Sequence, residues 1–177
     1  MARHKPAAEG GYQRGEETRA RIVEAAVEVF GERGYDRAST RDIATAAGVN
    51  APAIQYYFDG KEGVYLECVE HLVTLLWRKM SPCVEAAEAA LADAKASDKT
   101  LIDVSLGILG TVVSTIQDSP QTTIWRAFMD RHQAGLCPQS ATTAFEDRFK
   151  ARIGRVIRQL IARLSGFAVE DERTVIH

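Results

Sequence analysis

The side chains best suited to specific chemistry lie in residues 50–57, NAPAIQYY. Gln55 carries an amide whose donor and acceptor together match the major-groove edge of adenine, and Ala51 or Pro52 can contact the methyl group of thymine. Tyr56 places an aromatic ring with a hydroxyl beside this amide. An ordinary solvated helix face is the alternative, but a pair of exposed tyrosines argues against it. The run therefore indicates a surface that contacts duplex DNA.

Two short helices joined by a glycine turn must position these side chains. Ser39 and Asp42 match a capping box, which begins the first of the two helices. Gly48 supplies the positive φ of the turn. Asn50 is a good N-cap for the second helix, and Pro52 is tolerated in its first turn. The pattern predicts a helix-turn-helix, whose second helix enters the major groove.

A longer helix is predicted before this motif, over residues 16–33. Gly34 ends it as a C-cap. Its apolar residues recur at helical spacing: Ile22, Ala25, Ala26, Val29 and Phe30. Residues 1–15 are polar and contain proline and glycine, so we expect a disordered arm there.

The rest of the chain also carries helical periodicity and shows no strand pattern, which predicts an all-α fold. A long fourth helix over residues 61–80 leaves the three-helix module of residues 16–62 and enters a helical domain of residues 63–177. Ser81 and Pro82 are expected to stop that helix. Further helices are predicted over residues 83–95, 100–117, 121–132 and 141–165.

Composition excludes several classes of protein. The formal net charge is -2 and the pI is about 6.1, so charge alone does not drive nucleic-acid binding, although a local basic patch suffices. Three cysteines without paired spacing indicate reduced thiols in a cytoplasmic protein. No apolar run is long enough to span a bilayer, so no membrane partner is expected. No motif for a cofactor or a metal is present.

The order of these motifs resembles the TetR/AcrR family of bacterial transcriptional regulators. The resemblance covers roughly residues 18–66 and rests on Phe30-Gly31-x-x-Gly34-Tyr35, on STRDIATAAGVN and on YYFDGKE. Residues 50–65 further resemble the subgroup with a CecR-like C-terminal domain, which includes regulators of multidrug-efflux genes. The resemblance implies a homodimer that represses transcription from a palindromic operator. It also implies a helical C-terminal domain for dimerisation and for a small hydrophobic or amphipathic effector that releases the DNA.

The resemblance also assigns roles to residues around the motif. Arg41 lies where the family often reaches a guanine or a phosphate, with a plain surface arginine as the alternative. Lys61 opens the fourth helix, where free amides and a cation together suit a phosphate. The predicted DNA contacts are Ser39, Thr40, Arg41, Asn50, Ala51, Pro52, Gln55, Tyr56, Tyr57 and Lys61.

Two departures from the family pattern affect these expectations. The family commonly has Tyr where this chain has Gln55, so one usual phosphate contact is either absent or taken over by Tyr56. The family usually ends in two long helices that form the dimer interface. This sequence stops at His177, so those helices either lie outside it or are lost, and we expect a chain that ends at His177 to dimerise poorly.

Aromatic residues and methionines of the C-terminal half are candidates to line an effector pocket, since such side chains suit an apolar ligand. Plain core packing is the alternative for each of them. The candidate set is Trp77, Met80, Thr111, Trp125, Phe128, Met129 and His132. Enzyme signals are poor, because Glu67 and His71 lack a third metal ligand. A helical adaptor or assembly protein, or a small α-helical enzyme that uses the C-terminal cavity, remains the alternative function.

Overall fold

The computed structural model describes residues 8–117, 120–141 and 151–174. These ranges contain helices and no strand, which confirms the all-α prediction. The helices are α1 (Ala8–Arg33), α2 (Thr40–Ala46), α3 (Ala51–Phe58), α4 (Lys61–Ala92), α5 (Asp98–Gln117), α6 (Pro120–Gln133) and α7 (Ala151–Ser165). A short 3-10 turn at Glu172–Thr174 follows α7.

The helices form two compact units. The first comprises the described residues up to His71 together with Ile124–Ala141, and the second comprises those of Leu72–Thr123 and of Thr142–His177. The first unit therefore contains more than the predicted module of residues 16–62, since part of α4 and part of α6 join it. The predicted domain boundaries themselves stay a prediction.

The core of the first unit comes from one face of each of its helices. The predicted apolar face of α1 is buried in full, and α2 and α3 add the side chains that fix the helix-turn-helix. The principal buried residues are Ile22, Ala26, Phe30, Ile43, Ala44, Ile54, Phe58, Val64, Tyr65, Cys68 and Val69. Each helix turns its remaining face outward, which is the amphipathic arrangement that the spacing predicts.

The start of α1 differs from the sequence prediction. The helix begins at Ala8, so residues 8–15, which we assigned to a disordered arm, are helical. Glycines such as Gly15 are each about 1 kcal/mol less favourable than Ala in a helix, which is why the sequence favoured coil. In the structure the helix passes beside α3, where a Cβ on Gly15 would lie 4.0 Å from the hydroxyl of Tyr57. Residues 1–7 lie outside the described residues.

The predicted break at Ser81 and Pro82 is wrong, because α4 continues through Pro82 to Ala92. The separate helix predicted over residues 83–95 is therefore the second half of α4. A proline inside a helix removes one backbone hydrogen bond and costs about 3 kcal/mol. The core of the second unit offsets this cost, since Met80, Val84 and Ala87 pack on the same side of α4 into one cluster with residues of α5 and α7.

The apolar residues of α5 are buried only in part. Leu101 and Ile108 are buried, whereas Leu109, Val112 and Val113 are exposed. Apolar side chains lie on more sides of α5 than the other described helices cover. On α7, Val156 and Leu160 are buried, and residues 142–150 of the helix predicted over residues 141–165 lie outside the described residues.

Candidate nucleic-acid interface

The start of α2 is fixed by the predicted capping box. The Ser39 hydroxyl accepts a hydrogen bond from the Asp42 amide at 3.1 Å, and the Ser39 amide donates to the Asp42 carboxylate at 3.0 Å. Arg33, at the end of α1, holds the other carboxylate oxygen at 2.8 Å. The hydrogen bonds from Ser39, and secondarily the guanidinium of Arg33, lower the pKa of Asp42. The carboxylate therefore stays ionised and ties α2 to α1.

The turn into α3 follows the sequence prediction. Gly48 has φ of 63°, and the amide of Val49 donates to the carbonyl of Ala44 at 2.9 Å. The side chain of Asn50 caps α3 by accepting from the amide of Ala53 at 3.0 Å. This cap uses the Asn50 carbonyl oxygen, so its amide nitrogen is the part that can still face DNA.

One face of α3 is buried and the opposite face is exposed. Ile54 and Phe58 are buried, which fixes the rotation of the helix. Gln55 and the first-turn residues Ala51 and Pro52 are exposed, and Tyr56 is 83% exposed. The structure thus brings the predicted base-reading side chains onto a single outward surface.

Tyr57 differs from its neighbour Tyr56. It is half-buried, because its hydroxyl lies beside Gly15 of α1. The rings of Tyr56 and Tyr57 meet edge to face, with their centroids 4.9 Å apart. Tyr57 therefore supports the exposed ring of Tyr56 as well as being a candidate contact itself.

Two of the predicted phosphate contacts, Arg41 and Lys61, lie at helix starts beside α3. Arg41 is exposed in the first turn of α2, directly after Ser39 and Thr40. Lys61 opens α4, with its Nζ 4.2 Å from the centroid of the Tyr35 ring and 3.4 Å from the carbonyl oxygen of Asp36. The Tyr35 ring and this carbonyl hold the cation at the α3–α4 junction.

A salt bridge that the sequence did not reveal links α1 to α4 within the first unit. Arg19 of α1 donates two hydrogen bonds to the Glu67 carboxylate of α4, at 2.8 and 2.6 Å. Its guanidinium also lies 5.2 Å from the centroid of the Phe58 ring. The hydrogen bonds to Glu67 raise the pKa of Arg19. No signal in the sequence pairs residues 48 positions apart.

Asp59 was also missed as part of the site. It ends α3, and its carboxylate accepts a hydrogen bond from the side-chain amide of Gln55 at 2.7 Å. The spacing of four residues on one helix is the signal that could have found it, since Gln and Asp pair at that distance.

The predicted effector-binding residues divide between the two units. Trp77, Met80 and Thr111 belong to the second unit, and Trp125, Phe128, Met129 and His132 belong to the first. In the second unit Met80 is buried in the core, and the guanidinium of Arg152 lies 4.6 Å from the centroid of the Trp77 ring. Their role in ligand binding stays a prediction.

In the first unit the predicted effector residues include part of an aromatic cluster. Phe128 and His132 are buried, and Trp125 and Met129 are half-buried. The Phe128 ring stacks on Tyr65 with centroids 4.8 Å apart, and Nδ1 of His132 lies 3.5 Å from the Tyr65 hydroxyl. Burial raises the pKa of Tyr65, so its hydroxyl stays protonated.

A metal site or a membrane span would each need a particular arrangement of the residues that the structure describes. Among them, no group of three or more His, Cys, Asp or Glu side chains is placed to hold a metal ion. None of the described helices is both long and apolar enough to cross a membrane.

A capped helix-turn-helix with an exposed second helix, carried on an all-α scaffold, defines the class of helix-turn-helix DNA-binding proteins. Comparison with known proteins agrees. Residues 22–68 match the family model described as bacterial regulatory proteins, tetR family. Over 164 residues the chain is 27% identical to the HTH-type transcriptional dual regulator CecR of Shigella flexneri, which covers 93% of this chain and 72% of CecR.

Two further known proteins are similar, one over part of the sequence and one in fold. The HTH-type transcriptional repressor NicS of Pseudomonas putida is 37% identical over 60 residues, which are 34% of this chain and 28% of NicS. A solved gamma-butyrolactone receptor, an ArpA-like protein, has the same fold with a TM-score of 0.51 at 23% identity, covering 86% of this chain and 72% of the receptor. The predicted resemblance is confirmed: residues 22–68 match the model of the tetR family, and 93% of the chain is similar to a transcriptional regulator.

Proposed function

We propose that this regulator represses transcription by binding a palindromic operator as a homodimer. In this proposal α3 of each protomer lies in the major groove of one half-site. The predicted contacts of α2, α3 and the start of α4 then divide by role. Gln55, Ala51 and Pro52 face the bases, while Arg41, Tyr56 and Lys61 face phosphates.

The observation that carries the proposal is the orientation of α3. Its buried residues Ile54 and Phe58 leave Gln55 and Tyr56 outward, and Asn50 caps the helix at the end that would approach the bases. A polar amide and an 83% exposed tyrosine on a rigidly held short helix serve recognition better than they serve packing. NicS, which is 37% identical to this chain over 60 residues, is named a transcriptional repressor, and this supports repression rather than activation.

Selection of duplexes from a pool of randomised DNA by the unchanged protein tests the proposal. We expect the selected duplexes to share two inverted half-sites, because symmetric operators mirror a two-fold dimer. By fluorescence anisotropy, Gln55→Ala should relax base preference at one position in each half-site. Lys61→Ala should weaken binding to every duplex alike. Equal affinity of the unchanged protein for selected and random duplexes would contradict the proposal and favour a helical adaptor.

We also propose that a small hydrophobic or amphipathic effector releases the DNA. The support comes from the receptor whose fold is similar and from the aromatic and methionine side chains predicted for this role. An effector acts by binding the DNA-free arrangement more tightly than the DNA-bound one. Screening hydrophobic compounds for release of a labelled selected duplex tests this step, with Trp125→Ala expected to blunt the response.

A further inference from the structure

We propose that Asp59 is a positioning residue for DNA reading, whose carboxylate fixes the side-chain amide of Gln55 in one orientation toward the bases. This inference rests on the proposed function, because it assigns Asp59 a part in the base contact of Gln55. Asp59 itself is not required to touch DNA.

Two hydrogen bonds join these residues at the end of α3. Nε2 of Gln55 donates to Oδ1 of Asp59 at 2.7 Å, and the backbone amide of Asp59 donates to the backbone carbonyl of Gln55 at 3.3 Å. An ionised carboxylate only accepts hydrogen bonds, so the nitrogen of the Gln55 amide must face Asp59. The amide oxygen lies toward Gly60, 3.6 Å from the point where a Cβ of that residue would stand. The orientation of the Gln55 amide is thereby defined.

The backbone at Asp59 favours other residues. Asp59 has φ of 55° and ψ of 37°, the left-handed conformation in which a helix most often ends with Gly or Asn. A negative side chain at the C-terminus of a helix is also unfavourable, because the helix dipole is negative there. The same charge repels DNA phosphates. The hydrogen bond to Gln55 is the favourable contact that Asp adds and that Gly cannot supply.

The fixed Gln55 amide keeps the hydrogen-bond donor and the acceptor that base reading needs. Gln55 has two amide hydrogens, and the bond to Asp59 uses one of them. The second hydrogen and the carbonyl oxygen remain, and this is the donor–acceptor pair that fits N7 and N6 of adenine. A side chain held before binding also loses less rotamer freedom when DNA binds. Asp59 therefore increases discrimination between sequences rather than overall affinity.

Two substitutions of Asp59 separate its hydrogen bond from its charge. Asp59→Asn and Asp59→Gly both remove one negative charge, and both residues tolerate the left-handed backbone. Only Asn retains an oxygen that can accept from Gln55. The assay measures, by anisotropy, the affinity for a duplex selected by the unchanged protein relative to the same duplex substituted at each base pair. Circular dichroism melting shows that both variants are folded.

The two variants should differ in sequence specificity but should gain the same affinity for random duplex from the lost charge. We expect Asp59→Asn to keep the specificity ratio within about twofold and Asp59→Gly to lose about fivefold at one base pair per half-site, the low end of what a bidentate contact contributes. Both should bind random duplex more tightly to the same extent, since both have lost the same charge. Equal specificity ratios for the two variants would overturn the positioning role.

Repeating the Asp59 substitution in the Gln55→Ala variant separates the test of the positioning role from the test of base reading by Gln55. In Gln55→Ala, the further change Asp59→Gly should leave the specificity ratio unchanged, because the residue that it positions is gone. If Gln55→Ala lowers the ratio but Asp59→Gly acts equally in both backgrounds, the positioning role fails and the base contact stands. If Gln55→Ala leaves the ratio unchanged, the base contact fails and this inference fails with it.

Discussion

Replacing Phe128 with alanine should strongly destabilise the first unit. The side chain is buried and its ring packs between two others, stacked on Tyr65 at 4.8 Å and edge-on to Phe30 at 6.4 Å between centroids. Removing a buried phenylalanine costs about 3–5 kcal/mol, through lost burial and through the cavity that remains. Since the whole free energy of unfolding of a domain is about 5–15 kcal/mol, Phe128→Ala should remove a large fraction of it. Urea unfolding followed by circular dichroism measures the change.

A matched variant separates stability from recognition. Tyr56 is an aromatic residue of the same unit that is 83% exposed, so Tyr56→Ala should change the free energy of unfolding by less than about 0.5 kcal/mol. It should nevertheless weaken binding to a selected duplex, whereas Phe128→Ala should weaken binding only as far as it unfolds the protein. A destabilisation below about 1 kcal/mol for Phe128→Ala would refute the reasoning, because it would mean that α6 does not pack on α1 and α4 as described.

Three further variants test local features. Ser39→Ala removes the acceptor for the Asp42 amide and should lower the free energy of unfolding by about 1 kcal/mol in urea titrations, with Ser39→Thr, which keeps the hydroxyl, largely restoring it. Pro82→Ala should raise the urea midpoint, because it restores a backbone donor inside α4; an unchanged or lower midpoint would indicate that the helix breaks there after all. Because its folded pKa is lowered, Asp42 stabilises the fold above its ordinary pKa of 3.8 and loses that effect as pH falls through the folded value. Asp42→Asn should therefore be less stable than the unchanged protein near neutral pH, and the difference should shrink below pH 3.8, which urea midpoints across pH measure.

The helix-turn-helix could be predicted because its determinants are local. Ser39 and Asp42 satisfy each other within one turn, Gly48 supplies a backbone conformation that few residues adopt, and Asn50 caps the helix that follows it. Each of these signals spans about four residues and acts before any tertiary contact forms. The same holds for the alternation of buried and exposed positions on α3, which Ile54 fixes.

The features that the sequence did not reveal depend on contacts between distant residues. From the sequence alone, Pro82 predicts the end of a helix. Only the packing of Met80 and Val84 against other helices shows why α4 continues. Arg19 and Glu67 are 48 positions apart, and Phe128 reaches Phe30 across almost one hundred residues. Local propensity carries no information about such pairs, and tertiary packing overrides it where the two conflict.

In the proposed function, the charge of the chain explains why a fixed Gln55 amide would matter. Non-specific binding to DNA depends on cations that neutralise phosphates, and a chain with a formal net charge of -2 gains little from that term at long range. Arg41 and Lys61 are the cations proposed to attract DNA beside α3, while Asp59 places a negative charge at the end of α3. Because the non-specific attraction of the protein to DNA is weak, short-range contacts to base edges decide how long the protein stays on any duplex. Under that condition, holding Gln55 in its reading orientation before DNA arrives increases discrimination without adding affinity for every sequence, which is what a regulator that must find few sites among many requires.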